Sequence, residues 1–242
     1  MKRIVAQVLV GASLLLSALS SFASPEKPQL GVEYQLAKRP QPADSGKKVE
    51  ITEFFGYFCP HCYQLEPLLE AWAKKNADKV TLKRQHSNMH GLVSQQKLFF
   101  TLDIMGKVDE YQMKVFDAFH LERNRLVTDA DVMNFVSRSG LDKNKFAETY
   151  NNAFTMQTKI NRANQLADIY QLDGVPTFVV DGRYITSPAM SVAAIGRTSE
   201  EQQNRAGLMV LDFLVDKILK ERNGTAPAAK AEPAKAEPAK KK

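Results

Sequence analysis

Residues 49–65 read VEITEFFGYFCPHCYQL and join a predicted strand to a predicted helix at a pair of cysteines. The first seven residues are rich in β-branched and aromatic side chains and partly alternate, which favours a β-strand. Gly56 ends that run, and apolar residues then recur at helical spacing from Cys62 to Trp72. A second β-rich stretch at 80–86 completes the pattern. The sequence therefore predicts a β-α-β unit with a cysteine motif at its strand-to-helix corner.

The region after this unit is helical up to about Tyr170. Apolar residues recur at helical spacing through 92–170, which predicts a series of helices without an intervening strand. Thr128 and Asp142 are the expected N-caps of two of them, because short oxygen-bearing side chains satisfy the free N–H groups of a first turn. We also expect a short strand near 32–36, ahead of the β-α-β unit.

The β pattern returns late in the chain. Residues 177–180 form an expected strand, and Asp181-Gly182 then provides the preferred chemistry for a tight hairpin turn into 183–185. A last amphipathic helix is predicted over 199–220. Thr198 and Glu201 fit the capping-box pattern at its start.

Both ends of the chain differ from the part between them. Residues 1–23 begin with two basic residues, continue with an apolar stretch and end in small residues, which is the pattern of a cleaved secretory signal. Residues 225–242 repeat Ala, Glu, Pro and Lys, and we expect this tail to be disordered.

The net charge of +6 at first suggests a nucleic-acid-binding protein. The signal holds +2 of it and the tail +3, which leaves +1 for residues 24–224. That part has no cluster of Lys and Arg interleaved with aromatic residues, so we expect no nucleic-acid partner. Two cysteines are also too few for a disulfide-scaffold miniprotein.

The chemistry lies in the four residues from Cys59 to Cys62. A helix N-terminus stabilises an anion, and the thiolate is the reactive form of cysteine. Cys59, at the N-terminal end of the helix, is predicted to be the attacking cysteine, and Cys62 is predicted to be the resolving one. Pro60 suits the first turn, and His61 can favour the Cys59 thiolate as a donor or a partial positive charge. Because a stabilised thiolate makes the disulfide the higher-energy form, the motif predicts an oxidant.

Three other interpretations of the cysteines compete with a redox motif. A structural disulfide that closes so short a loop would contribute only about 2 kcal/mol. Zinc needs four ligands, and His86 and His90 lie in or beside an expected loop without an acidic neighbour, so we expect no metal and no cofactor. An oxidising exported location argues against two permanently free thiols.

Together with a later Gly174-Val175-Pro176-Thr177 ahead of a strand, these residues resemble the DsbA family of periplasmic thiol-disulfide oxidoreductases. The resemblance is carried by Phe58 to Gln64 and by Gly174 to Tyr184. It implies an α/β thioredoxin-like fold with a helical insertion subdomain. The implied parts are a signal peptide at 1–23, a thioredoxin-like first part at 24–90, a helical insertion at 91–160, a thioredoxin-like second part at 161–224, and a disordered tail at 225–242.

The resemblance also implies roles for particular residues. Cys59 would pass its disulfide with Cys62 to reduced, unfolded exported proteins through a mixed disulfide. Pro176 would be the family's cis-proline beside the cysteines. Val175 and Thr177 would contact the substrate, the former through backbone pairing of the β-augmentation kind.

Glu53 matches the family's buried acid beneath the active site. The family often pairs that acid with a lysine on the next strand, but alternation along 80–86 places Arg84 at the matching position. Arginine does not give up its proton. A proton relay through Glu53 and Arg84 and a purely structural ion pair therefore both stay open.

The leading hypothesis is a monomeric periplasmic thiol:disulfide oxidase, reoxidised by a quinone-linked membrane oxidase of the DsbB type. One alternative is a disulfide isomerase or reductase, although 24–48 is too short for a separate dimerisation domain. Another is a chaperone-like binder of unfolded chains, with an apolar surface supplied by Phe55, Tyr57, Phe58 and the loop at 175–176.

Overall fold

The computed structural model of the chain describes residues 27–224. The predicted signal peptide at 1–23 and the predicted tail at 225–242 lie outside the described residues. No helix within 27–224 is both long and apolar enough to cross a bilayer. The described part contains five strands and eight helices. In chain order they are β1 (Gln35–Leu36), β2 (Val49–Phe55), α1 (Pro60–Lys75), β3 (Val80–His86), α2 (Val93–Ile104), α3 (Val108–His120), α4 (Asp129–Ser139), α5 (Lys143–Tyr150), α6 (Ala153–Tyr170), β4 (Thr177–Val180), β5 (Tyr184–Thr186), α7 (Pro188–Ser191) and α8 (Glu200–Arg222).

The strands form one mixed sheet in the order β1-β5-β4-β2-β3. β2 runs parallel to β3 along its full length and antiparallel to β4, so the β-α-β unit predicted around the cysteines is confirmed. β5 continues the sheet through a hairpin from β4. The strand expected at 32–36 is shorter than predicted, because residues 31–33 form a turn and only Gln35–Leu36 pairs with β5.

Helices cover both faces of the sheet. α1 and α8 pack on one face, where their buried leucines meet Val49 and Ile51 of β2. The end of α6 packs on the other face, where Tyr170 contacts Phe54 edge to face with ring centroids 6.0 Å apart. Successive side chains of β2 therefore serve two different cores, as the alternation of a strand requires. This two-sided cover holds the C-terminal end of β2, and with it the cysteine motif, in a fixed place.

The helical insertion predicted between β3 and β4 is present as α2 to α6. Its apolar core extends to the end of β2 and includes both cysteines. The cysteine motif therefore lies where the insertion meets the sheet. α6 runs unbroken through the boundary expected at 160/161, so this helix belongs to both the insertion and the second sheet-forming part.

The predicted helix starts are correct in two cases and wrong in a third. Thr128 and Asp142 cap α4 and α5 through backbone N–H groups of the first turn. The capping box of α8 consists of Ser199 and Gln202, one residue later than the predicted pair of Thr198 and Glu201. The four-residue sequences that begin at Thr198 and at Ser199 both fit the capping-box pattern. Only the backbone conformation at the start of α8 decides which of the two is the cap.

The hairpin turn between β4 and β5 is confirmed at Asp181-Gly182. Both residues have a positive φ, of 53° and 66°, as a type I′ turn requires. A Cβ atom at Gly182 would collide with the backbone carbonyl of Gln41, so this position needs glycine for space as well as for conformation.

Candidate active site

Cys59 is the N-cap residue of α1. Its backbone is extended, with φ −87° and ψ 114°, and its Sγ accepts a hydrogen bond of 3.1 Å from the N–H of Cys62. Pro60 is the first helical residue, where its missing N–H costs no bond. Cys59 is 4% exposed and Cys62 fully buried, and both are free thiols. The order of accessibility agrees with the predicted order of attack.

The loop between α6 and β4 brings Val175, one of the two predicted substrate-binding residues, to Cys59. The thiol of Cys59 donates a 3.4 Å hydrogen bond to the carbonyl oxygen of Val175, although the two residues are 116 positions apart. The peptide bond between Val175 and Pro176 is cis. Oγ1 of Thr177 donates to the carbonyl of Gly174 at 2.8 Å, which closes the loop on itself. These contacts fix a backbone carbonyl beside the reactive sulfur.

The pKa values of the two thiols are shifted in opposite directions. Hydrogen bonds from the Cys62 side chain and backbone lower the pKa of Cys59 against the opposing effect of burial, and the charge of His61 lowers it further. Burial is the main cause that raises the pKa of Cys62, and the carboxyl group of Glu53 adds to the rise. Cys59 is therefore the better leaving group and nucleophile of the pair.

The side chain of His61 points to solvent and not onto the sulfur. Its Nδ1 lies 2.6 Å from Oε1 of Glu200, the first residue of α8, and 66% of the side chain is exposed. His61 thus acts on Cys59 through its charge and its backbone N–H. Glu200 could not be found from the sequence, because 139 residues separate it from its partner.

Beneath the cysteines, Arg84 bridges two buried carboxyl groups. Its Nε donates to Glu53 at 3.2 Å and its Nη2 donates to Glu66 of α1 at 2.6 Å. Both glutamates are fully buried, and Oε1 of Glu53 has no hydrogen-bond partner within residues 27–224. The predicted pairing of Glu53 with Arg84 is therefore present. Glu66 was not predicted, although its position four residues after Cys62 is on the same helical face.

Burial and the neighbouring Glu66 raise the pKa of Glu53 to about 8, against the opposing charge of Arg84. Burial also raises the pKa of Glu66. Burial disfavours the charge of Arg84, but the two carboxylates outweigh it and raise the guanidinium pKa above its usual value. A pKa of about 8 brings the titration of Glu53 close to neutral pH, while Arg84 stays charged.

Three side chains from outside the motif hold Tyr57, two residues before Cys59. Nε2 of His86 accepts the Tyr57 N–H at 3.1 Å, and Nε2 of His120 lies 2.9 Å from the Tyr57 carbonyl. The phenol donates to Gln112 at 2.9 Å. Burial lowers the pKa of His86 to about 3, so its imidazole stays neutral and keeps accepting this bond. No sequence pattern distinguishes His120 as a residue for such a position.

The described residues offer no metal site, since no three His, Cys, Asp or Glu side chains within 27–224 gather into one. A cavity of about 410 Å³ opens beside the cysteines instead. It is bounded by His61, the Val175–Pro176 loop, α7 and the first turn of α8. Phe55 and Tyr57, two residues of the apolar surface expected for a chaperone-like binder, are fully buried and do not line this cavity.

These features define a class of protein, a thioredoxin-fold thiol:disulfide oxidoreductase. The family model of the DSBA-like thioredoxin domain matches residues 86–202. The thiol:disulfide interchange protein DsbA of Burkholderia cepacia is 36% identical over 220 residues, covering 90% of this chain and 98% of its own. The DsbA of Pseudomonas aeruginosa PAO1 is 32% identical over 216 residues, covering 87% and 95%.

Comparison with solved structures supports the same class of protein. The crystal structure of Pseudomonas aeruginosa DsbA superposes with a TM-score of 0.71 at 32% identity, covering 84% of this chain and 98% of that one. The chain belongs to the DsbA family of thiol:disulfide oxidoreductases. The fold and the enzyme class inferred from the cysteine motif are confirmed.

Proposed function

We propose that this protein donates a Cys59–Cys62 disulfide to reduced, unfolded exported proteins. A substrate thiolate attacks Sγ of Cys59, the Cys59–Cys62 bond breaks, and the electron pair leaves on Cys62. A second substrate thiolate then attacks the substrate sulfur of the mixed disulfide and releases Cys59 as a thiolate. The substrate loses two electrons and the protein gains them. The single observation that carries this proposal is the Cys59 sulfur at a helix N-cap, in contact with Cys62 N–H and the Val175 carbonyl.

The stabilised thiolate gives the reaction its direction. Hydrogen bonds at the N-cap and the charge of His61 favour the Cys59 thiolate, which is present only in the dithiol form. Release of a disulfide into substrate is therefore favoured. Cys62 is the opposite case, because burial favours its protonated form.

Glu53 is the group that we propose to protonate Cys62 when it leaves. Its unpartnered Oε1 and raised pKa, about 8, give it a proton to donate near neutral pH. Arg84 keeps the carboxyl group in place and does not carry the proton. Of the two roles left open by the sequence, we favour relay by Glu53 alone with Arg84 as its structural partner.

The substrate strand is proposed to lie along the Val175–Thr177 loop. Among the described residues, only the Cys59 thiol donates a hydrogen bond to the carbonyl of Val175, so this carbonyl is free to accept an N–H once the disulfide forms. Pro60 and Pro176 flank this position and present no N–H of their own.

The protein is further proposed to act as a monomer in the periplasm after removal of residues 1–23. A quinone-linked membrane oxidase of the DsbB type would restore the disulfide.

Trapping of the mixed disulfide tests this assignment. Oxidised wild type should oxidise a reduced two-cysteine peptide, whereas Cys59→Ser should not. Cys62→Ser, activated at its remaining thiol, should accumulate a Cys59–peptide adduct detectable by mass spectrometry. An unmodified Cys62→Ser together with an active Cys59→Ser would overturn it.

The equilibrium with glutathione separates an oxidant from an isomerase or reductase. The Cys59–Cys62 disulfide should be reduced by far less glutathione than a structural disulfide needs. A strongly reducing potential would contradict the oxidase. Binding of an unfolded chain that lacks cysteines, unchanged in Cys59→Ser, would instead favour the chaperone-like alternative.

A further inference from the structure

The cavity beside the cysteines has an apolar floor and an acidic rim. Pro176, Pro188 and Met190 provide apolar surface, and Asp173 and Glu200 provide carboxyl groups. Of the described residues that line it, His61 is the only other titratable one, and none is a lysine or an arginine. Two carboxylates against one imidazole leave the cavity negative whether or not the imidazole is protonated.

Nearby groups offset part of this negative charge, and the exposed Arg197, three residues before Glu200, does not line the cavity. Glu200 is the first residue of α8, where the helix dipole contributes about half a positive charge. The closest arginine along α8, Arg205, is paired with Glu201 at 2.8 Å and so offsets a different carboxylate. Asp173 is exposed and has no ion-pair partner among the contacts of the described residues.

An apolar floor beneath carboxylates fits one kind of side chain. Lysine and arginine lay a methylene stem along apolar surface while keeping a cationic head at the edge. A glutamate of the same length would meet two like charges, and a neutral residue would gain only the contact with the floor.

We propose that this cavity makes the protein prefer substrate cysteines that are flanked by a basic residue. This inference rests on the proposed function, because it assigns the cavity to the substrate segment next to the reacting cysteine. The stem of the basic residue packs against Met190 and Pro188. Its cation pairs with Glu200, in competition with His61, and with Asp173.

Matched peptides test the preference. Reduced two-cysteine peptides that differ only in carrying Lys, norleucine or Glu are compared at each of the two positions on either side of the first cysteine. The rate with oxidised protein is divided by the rate of the same peptide with hydroxyethyl disulfide. This division removes the effect of the flanking charge on the peptide's own thiols, because the reference disulfide is neutral.

At the position that reaches the cavity, Lys should exceed norleucine by about two- to fivefold, the range of a partly exposed ion pair, and Glu should be slower than norleucine. The ratio should shrink as salt is added. In an Asp173→Asn and Glu200→Gln double variant it should fall towards one. Glu148→Gln, which removes an exposed carboxyl group from α5, is the matched control and should keep the wild-type ratio.

Two results would overturn the inference. One is a Lys-to-norleucine ratio of one or less at every flanking position, and the other is a ratio that the double variant leaves unchanged. Failure of the proposed function has a different signature, since in that case none of the three peptides is oxidised faster by the protein than by hydroxyethyl disulfide.

Discussion

Nε of Arg84 donates a 3.2 Å hydrogen bond to Oε2 of Glu53, its direct neighbour across two parallel strands. The same guanidinium reaches Glu66 of α1 at 2.6 Å. One cation thus compensates two carboxyl groups that water does not reach, and buried charges persist only when they are compensated in this way. The contact also ties the active-site helix to the edge strand of the sheet.

Replacement of Arg84 by leucine should destabilise the protein by about 3–5 kcal/mol, because it leaves two buried carboxyl groups without their cation. Urea unfolding near neutral pH measures the loss. Lys83→Gln is the matched control, since Lys83 forms a partly exposed pair with Glu50 on the same strands and should cost no more than about 1 kcal/mol. Equal losses of unfolding free energy in the two variants would contradict the bridging role of Arg84 between Glu53 and Glu66.

Glu53 should make stability fall as pH rises. Its pKa is raised from 4.5 to about 8, so between these values the folded protein holds a proton that the unfolded chain has released. The free energy of unfolding then decreases with rising pH across that interval. Glu53→Gln should remove this decrease when the disulfide form, whose thiols do not titrate, is unfolded in urea. Parallel pH profiles for wild type and Glu53→Gln would contradict the assignment, and Glu148→Gln should leave the profile unchanged.

His61→Ala should raise the pKa of the Cys59 thiol, because the charge of His61 helps to lower it. The ultraviolet absorbance of the thiolate, followed against pH in the dithiol form, measures this change. The glutathione equilibrium should shift with it towards a weaker oxidant. His90→Ala, which changes an exposed histidine that packs on Phe58, serves as the control. An unaltered thiolate titration in His61→Ala would contradict an electrostatic effect of His61 on the Cys59 thiol.

Ser199→Ala should destabilise the protein by about 0.5–2 kcal/mol through loss of the α8 cap. Thr198→Ala should stay within about 0.5 kcal/mol, because the Thr198 hydroxyl has no hydrogen-bond partner in the described part of the chain. Thermal unfolding of the two variants side by side measures the difference. A larger loss of stability in Thr198→Ala than in Ser199→Ala would identify Thr198 as the cap instead.

The strand, the cysteine motif and the following helix could be predicted because their determinants are local. β-branched residues, Gly56 and helical spacing from Cys62 place β2 and α1, and the alternation of β3 selected Arg84 correctly over Lys83. Local signals failed where two neighbouring strings were equally good. The cap of α8 is such a case, because Thr198 and Ser199 are both suitable capping residues.

The remaining site residues depend on packing between distant elements. Glu200 meets His61 only because the N-terminus of α8 lies over the start of α1. His120 reaches Tyr57 only through the position of α3 in the insertion. Helical periodicity shows that a side chain faces a partner, but it does not say which element the partner belongs to.

The continuity of α6 has a mechanical consequence. A helix of 18 residues is a stiff rod, and the chain passes between the helical insertion and the sheet at two connections, 87–92 and 171–176. The second connection contains the Val175 carbonyl that contacts Cys59. A tilt of α6 against the sheet would be passed directly to this second connection, and it would shift the sulfur's backbone neighbour together with the proposed substrate surface.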